Sequence, residues 1–327
     1  MPQPKKTNSF SKSQPLVSII IPCYNAESYI EKAISSAVKQ TWGNKEIIVV
    51  DDGSTDKSWE IISRIKSTVL QKYKIDHAGA CAARNYGIRK ANGEYLQFLD
   101  ADDLISPRKI EIQLVSLKNS DSIISCSWCR FAGSTERAIY VEDKLWQDQK
   151  PVDWLVASWG GGLMMPPHAW LVPKKLADRA GPWDEFLLGN QDGEYLARVI
   201  LNSHLVQFCN STEAVAYYRA TPDSLSQYKD ALHLSSRLKS LELCANHLLS
   251  IENTERTRQS VASRFLDFAF YSYLHDNLSS EKAEILAQKY GGSNLVLKSG
   301  PMFNLLRLFF GWKTAKRIQY FIRKVLT

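Results

Sequence analysis

The chain has 327 residues, 44% hydrophobic and 23% charged, enough to bury a full core as one large domain or one domain with an appendage. Its net charge of +7 sits at the two ends: Lys5, Lys6 and Lys12 come before the first acid, and the stretch from Met302 carries Arg307, Lys313, Lys316, Arg317, Arg323 and Lys324 with no acid. Without those nine charges the body stands at −2, which excludes the basic face that a nucleic-acid-binding domain needs.

Residues 1–14 are polar and aperiodic and read as a disordered leader. Val17 to Ile21 is a continuous β-branched run ended by Pro22, as expected of a strand buried on both faces of a parallel sheet. Ile30, Ile34 and Val38 recur every four residues and predict a helix. Glu46 to Val50 is a second buried strand that runs into Asp51, Asp52 and Gly53, after which Ser54 and Thr55 are placed to cap a helix carrying Trp59, Ile62 and Ile65. A shorter strand near Val69 to Ile75, a small-residue helix from Ala78 to Ala91, and a strand from Tyr95 to Leu99 complete this half. The alternation predicts an α/β sheet with βαβ crossovers, and acids at two strand ends fall where such sheets bind ligands.

Beyond Pro107 a strand is expected around Ile123 to Phe131, a turn at Gly160-Gly161-Gly162, and a helix near Asp192 to Leu201; from about residue 228 the pattern is helical. Six scattered cysteines include one C-x-x-C, Cys126 and Cys129, with no second pair to complete a zinc site, so both read as thiols within a strand. No apolar run reaches the ~18 residues of a membrane span and no signal-peptide pattern opens the chain, which points to the cytoplasm.

Asp100-Ala101-Asp102 has the D-x-D form. Directly after a buried strand its carboxylates face the ligand crevice, where Mn²⁺ or Mg²⁺ takes carboxylate and phosphate oxygens together. The strand V-S-I-I-I-P-C-Y-N, then V-V-D-D-G-S-T-D, A-R-N-Y-G-I and G-E-Y-L-Q-F-L-D-A-D-D fill residues 16 to 115 in order. This series resembles the family 2 glycosyltransferases, inverting enzymes of the GT-A fold, and the resemblance implies a Rossmann-like open mixed sheet flanked by helices. It implies that Pro22, Tyr24 and Asp52 hold base and ribose, that Asp100, Ala101 and Asp102 hold the diphosphate and a metal with Asp102 the more direct ligand, and that Arg84 contacts the nucleotide. For Arg84 a helix-to-acid salt bridge is the alternative. His77 stands where many members carry a base-contacting asparagine.

Residues 180 to 226 resemble the acceptor half of the family more loosely. A-G-P-W-D-E-F-L-L-G-N-Q-D-G-E puts Asp192 at the position of the catalytic base, with Gln191 where glutamate is common, and Y-Y-R-A-T-P-D-S-L-S puts Arg219 beside the diphosphate, with Thr221 where histidine is frequent. Asp184, Glu185 and Glu194 are the competing carboxylates. His168, Trp183 and Gln191 are candidates for acceptor contact, and Trp159 with Gly160 to Gly162 could line a sugar platform or form a structural loop.

These readings organise the chain as the leader, a GT-A domain over 15–227 with a nucleotide-sugar half over 15–120 and an acceptor half over 121–227, and a helical region over 228–327. The expected function is inverting transfer from a nucleotide diphosphate sugar, with UDP as carrier by resemblance, to a sugar or lipid-linked glycan acceptor in cell-surface glycan assembly. A nucleotide-sugar-binding protein or a nucleotidyltransferase is the alternative. Residues 303–327 mix bulky apolar residues with six cations, and either meet the anionic inner face of a membrane or pack on the catalytic domain with their cations in solvent.

Overall fold

The computed structural model describes residues 14–140, 142, 144–220, 228–297 and 299–326. Apart from Gln14, the expected leader lies outside the described residues, as does Thr221. From Val17 the chain alternates as its periodicity predicts: β1 (Val17–Cys23), α1 (Ile30–Val38), β2 (Lys45–Asp52), α2 (Ser58–Arg64), β3 (Leu70–Ile75), α3 (Ala80–Lys90) and β4 (Tyr95–Phe98). These strands are parallel in the order β3-β2-β1-β4, so the chain runs out to one side of β1 and returns to add β4 on the other. That reversal opens a crevice at the carboxyl ends of the strands. A Cβ at Gly87 would lie 2.5 Å from Ile20 Cγ2, so the glycine is what lets α3 settle onto β1.

Ser54 and Thr55 do not cap α2. The helix begins at Ser58, whose N–H donates to Asp56 Oδ1 at 2.9 Å. The earlier pair is drawn to the loop after β1, where Asn25 N–H donates to Ser54 Oγ at 3.0 Å and Thr55 N–H donates to Asn25 Oδ1 at 2.8 Å. Tertiary partners thus outcompete the local cap.

The second half contributes β5 (Leu104–Ile105), α4 (Lys109–Ser116), β6 (Ile123–Ala132), β7 (Ser134–Tyr140), α5 (Pro151–Gly161), β8 (Val172–Pro173), α6 (Lys174–Ala180), α7 (Gln191–Leu201), β9 (Val206–Cys209) and β10 (Val215–Arg219). Strand β8 joins the first sheet antiparallel to β4, and a second sheet runs β5-β10-β6-β7 with β9 beside β6. The expected turn at Gly160 to Gly162 is the end of α5 instead: Gly160 and Gly161 close the helix and Gly162 caps it. Cys126 and Cys129 are free, buried thiols in β6, and an odd spacing along a strand turns them to opposite faces. Lys109 is fully buried between the sheets, its Nζ donating to Gln97 Oε1 at 2.5 Å and Gln113 Oε1 at 2.7 Å, and burial pushes its ammonium down to about 8.

The helical region comprises α8 (Ala231–Ile251), α9 (Glu255–Ser272), α10 (Asn277–Lys289) and α11 (Pro301–Leu326). Helix α11 kinks at Gly311, whose φ of 73° is outside the helical range. Its residues divide between packed and exposed positions. Phe303 and Ala315 are fully buried in a small cluster with Trp312 and Phe270, whereas Leu308, Phe309 and Phe310 stand exposed. No helix among the described residues is long and apolar enough to cross a membrane.

Candidate active site

The pairing of β1 with β2 sets Cys23 opposite Asp51, so the loops that follow the two strands lie side by side at the crevice. Pro22 is buried in β1, opposite Val50. The exposed Tyr24 ring stacks on His77 with centroids 4.2 Å apart, and His77 Nδ1 lies 2.9 Å from Asp52 Oδ2. Asp52 is buried beneath, accepting from Ala78 N–H at 2.8 Å and Gly79 N–H at 2.9 Å. The arrangement makes an aromatic ledge anchored by a carboxylate, on which a flat base can stack. Cys23 is no nucleophile: burial and the neighbouring Asp51 charge push its thiol up to about 12.

Past β4 the chain delivers three carboxylates to the same edge. Arg84 Nη2 donates to Asp100 Oδ1 at 2.7 Å, so the salt bridge weighed as the alternative for Arg84 is present. The guanidinium also lies 4.6 Å from the Trp183 ring centroid, and Nη1 is 3.5 Å from Gln191 Oε1. Ala101 is buried at the turn. Asp102 is only partly covered, yet burial and then the charges of Asp103 and Asp100 push its carboxyl up to about 7. Arg219 arrives from β10, donating from Nε to the Asp102 carbonyl at 2.6 Å, with its guanidinium 4.3 Å from the Phe131 ring centroid. Arg84 and Arg219 therefore flank the acidic turn, which is where a diphosphate would need them.

Asp103 was not singled out by its spacing, yet it braces this turn. Fully buried, it accepts the Arg219 N–H on Oδ1 at 2.7 Å and faces His168 Nδ1 across 3.0 Å on Oδ2.

The acids suit a hard divalent cation. Among the described residues no three histidine, cysteine or carboxylate side chains converge into a closed metal cage. A single carboxylate held above its ordinary range by burial and then by neighbouring negative charge is a site that a cation would relieve, with the remaining oxygens supplied by phosphate. Asp102 fits that role better than Asp100, which is already paired with Arg84.

Asp192 occupies the first turn of α7 and is half-buried. Burial raises its carboxyl above the ordinary range, against the pull of Arg84 and with the help of Asp100, which places it in the field of both. Its competitors are engaged elsewhere. Glu194 pairs with Arg198 at 2.7 Å and His247 at 3.1 Å, Glu185 accepts from Asn85 at 2.8 Å, and Asp184 accepts from Phe186 N–H at 2.9 Å. The start of α7 is pinned by α8: Asn190 Nδ2 donates to Ser240 Oγ at 2.8 Å, and Ser240 Oγ donates back to the Asn190 carbonyl at 2.9 Å.

Of His168, Trp183 and Gln191, Gln191 alone is partly exposed, with its Oε1 3.5 Å from Arg84 Nη1. Trp183 is 1% exposed, stacked on Tyr195 at 4.1 Å, and His168 is fully buried against Asp103. As placed they back Arg84 and Asp103 and offer an acceptor no surface, a correction to the sequence reading. Asn85 is a further residue it missed. Its side chain takes the Trp183 N–H at 2.9 Å and donates to the Trp183 carbonyl at 2.9 Å, clamping the segment before α7 onto α3. Its neighbour Arg84 drew attention, but nothing local announced a partner 98 positions away.

Two open sheets with helices on their flanks and an acidic crevice at the strand ends define the GT-A architecture. The Glycosyl transferase family 2 model matches residues 18–177, and the chain is 30% identical over 246 residues to the uncharacterized glycosyltransferase EpsJ of Bacillus subtilis (strain 168), covering 71% of this chain and 70% of that one. The chain belongs to glycosyltransferase family 2. It is also 41% identical over 113 residues, 34% of its own length and 45% of the relative's, to the UDP-Glc:alpha-D-GlcNAc-diphosphoundecaprenol beta-1,3-glucosyltransferase WfaP of Escherichia coli. Other curated relatives are matched over 18–56% of their length. Among solved structures, S. aureus TarS 1-349 in complex with UDP-GlcNAc superposes with a TM-score of 0.66 at 19% identity, covering 83% of this chain and 79% of TarS, a likeness of fold.

Proposed function

We propose that the protein transfers one sugar from a UDP-sugar to an acceptor hydroxyl with inversion at the anomeric carbon. The observation that carries this reading is that Asp192, free of the partners that occupy Asp184, Glu185 and Glu194, shares one electrostatic neighbourhood with Arg84 and Asp100. A base for the acceptor thus shares one neighbourhood with a cation for the leaving group. Asp192 takes the proton of the acceptor hydroxyl as the new bond forms, and a carboxyl raised above its ordinary range is a stronger base for that task. Arg84 and Arg219 meet the charge that develops on the departing diphosphate. Asp102, with Asp100, would hold Mn²⁺ or Mg²⁺, which supplies further charge neutralisation on the phosphate oxygens when bound. One base and no second carboxylate placed as nucleophile favour a single displacement. Tyr24, His77 and Asp52 would receive base and ribose.

The choice of UDP follows the printed names of WfaP and of the TarS complex. WfaP's name also carries a lipid-linked diphosphate acceptor, in keeping with a role in surface glycan assembly. The exposed Leu308, Phe309 and Phe310 of α11, interspersed with cations, would hold the protein at the inner face of an anionic membrane. Asp192→Asn tests the assignment: transfer should fall at least about a thousandfold while UDP binding in Mn²⁺ stays within a few fold. Near-normal turnover would remove Asp192 as the base, and release of pyrophosphate from UTP and a sugar 1-phosphate, with no UDP released from a UDP-sugar, would make the protein a nucleotidyltransferase.

A further inference from the structure

Gln191 is the first residue of α7 and the chain neighbour of Asp192, and its side chain reaches from that helix to Arg84 on α3. Nε2 donates to the Leu187 carbonyl at 2.5 Å, which turns Oε1 towards Arg84, where it accepts from Nη1 at 3.5 Å. The amide has one workable orientation, because flipping it would set Oε1 against the carbonyl oxygen and Nε2 against the guanidinium. Arg84 is buried and its other contacts are few. Nη2 donates to Asp100 Oδ1 at 2.7 Å, the guanidinium lies 4.6 Å from the Trp183 ring centroid, and the buried Nε has no hydrogen-bond partner among the described residues. Without the Gln191 oxygen a second nitrogen of this buried cation would lose its acceptor.

The amide matters for charge as well as for hydrogen bonding. Arg84 and Asp100 cancel each other, and Gln191 adds an acceptor without adding charge. A glutamate would have the same shape. It would, however, bring a further negative charge into a neighbourhood that already holds Asp100 and Asp192, engage Arg84 with a second carboxylate, and set one of its oxygens against the Leu187 carbonyl. An anionic diphosphate would then meet a guanidinium already outweighed by acids. Methionine, of similar length and uncharged, would lose both hydrogen bonds and leave the charge count as it is, so the two contributions of the amide are separable by substitution.

We propose that Gln191 is a positioning residue for the donor's diphosphate rather than an acceptor contact: its neutral amide holds the Arg84 guanidinium against the start of α7 without neutralising it, and so keeps that cation available to the phosphate oxygens. The proposal rests on the reading of Arg84 as a diphosphate contact. Calorimetric titration of the full chain in Mn²⁺ with UDP and with uridine separates charge from fold, because uridine has the base and ribose of UDP and no phosphate. Gln191→Glu should weaken UDP binding about tenfold and leave uridine binding within about twofold. Gln191→Met should weaken UDP about threefold, again with uridine unchanged, and lower kcat for transfer about tenfold with a smaller change in the donor KM. Equal UDP affinity in the parent and Gln191→Glu would overturn the proposal, because the added charge would go unfelt. A matching loss of UDP and uridine binding would overturn it too, because the effect would then be structural. If thermal melts show that the charged variant does not fold, the same comparison of UDP with uridine in Gln191→Met decides. A parent that does not bind UDP would take down the donor reading and this inference with it, whereas turnover retained by Asp192→Asn would remove only the base.

Discussion

The two ends of the parallel sheet treat their carboxylates in opposite ways. At the end away from the crevice, Glu46 at the start of β2 accepts from Ser18 Oγ at 2.6 Å, Asn92 N–H at 2.7 Å and Gln71 Nε2 at 2.8 Å, and Ser18 Oγ in turn accepts from Gly93 N–H at 2.8 Å. At the crevice end, burial and then the charges of Asp103 and Asp100 push Asp102 up to about 7. The first carboxylate is surrounded by donors and joins three segments of chain. The second is crowded by like charge and left for a ligand to neutralise. Both ends carry carboxylates, and what separates structure from function is whether the protein itself supplies the counterpart.

Substitution should break the two ends in opposite directions. Asp102→Asn should reduce Mn²⁺-dependent transfer by about a hundredfold or more, because it removes the charge that would hold the cation, yet raise the melting temperature of the metal-free protein by a few degrees, because it also removes a repelled carboxylate. Transfer assays and melts of one preparation check both signs, and a loss of stability would show that Asp102 is structurally satisfied after all. Glu46→Ala should do the reverse, costing about 2–4 kcal/mol of stability in urea unfolding by leaving several buried donors unpaired, with the UDP affinity of the remaining folded protein unchanged.

Lys109 sharpens the contrast from inside the protein, as a cation buried with two neutral acceptors and no carboxylate. Its pKa in the folded protein, about 8, is below the value of about 10.4 in the unfolded chain, so the unfolded state binds more protons between those limits and stability contributed by this group rises with pH across that window. The stability difference between Lys109→Met and the parent, followed by urea unfolding from pH 7 to 10, should therefore shift in the parent's favour by up to about 3 kcal/mol. A constant difference would mean that the lysine titrates normally.

Much of the donor half could be read from the chain because its signals are local. Continuous β-branched runs announce strands buried on both faces, and acids immediately after them must fall on the carboxyl edge of a parallel sheet, so Asp51, Asp52, Asp100 and Asp102 were placeable by position alone. Asp192 needed the resemblance, since a carboxylate opening a helix is common. The capping of α2 was misread because Ser54 and Thr55 had better partners in Asn25, on a different loop.

The amino-acid sequence by itself determined the alternation of strands and helices and the edge of the sheet that carries the acids. Only the tertiary structure decided which carboxylates are engaged by protein partners and which are left over, and that Asp103, facing His168, braces Arg219. The physical reason is range. Hydrophobic periodicity and backbone preference act over a few residues, whereas the charge state and availability of a buried side chain depend on whatever the fold brings within a few ångströms of it.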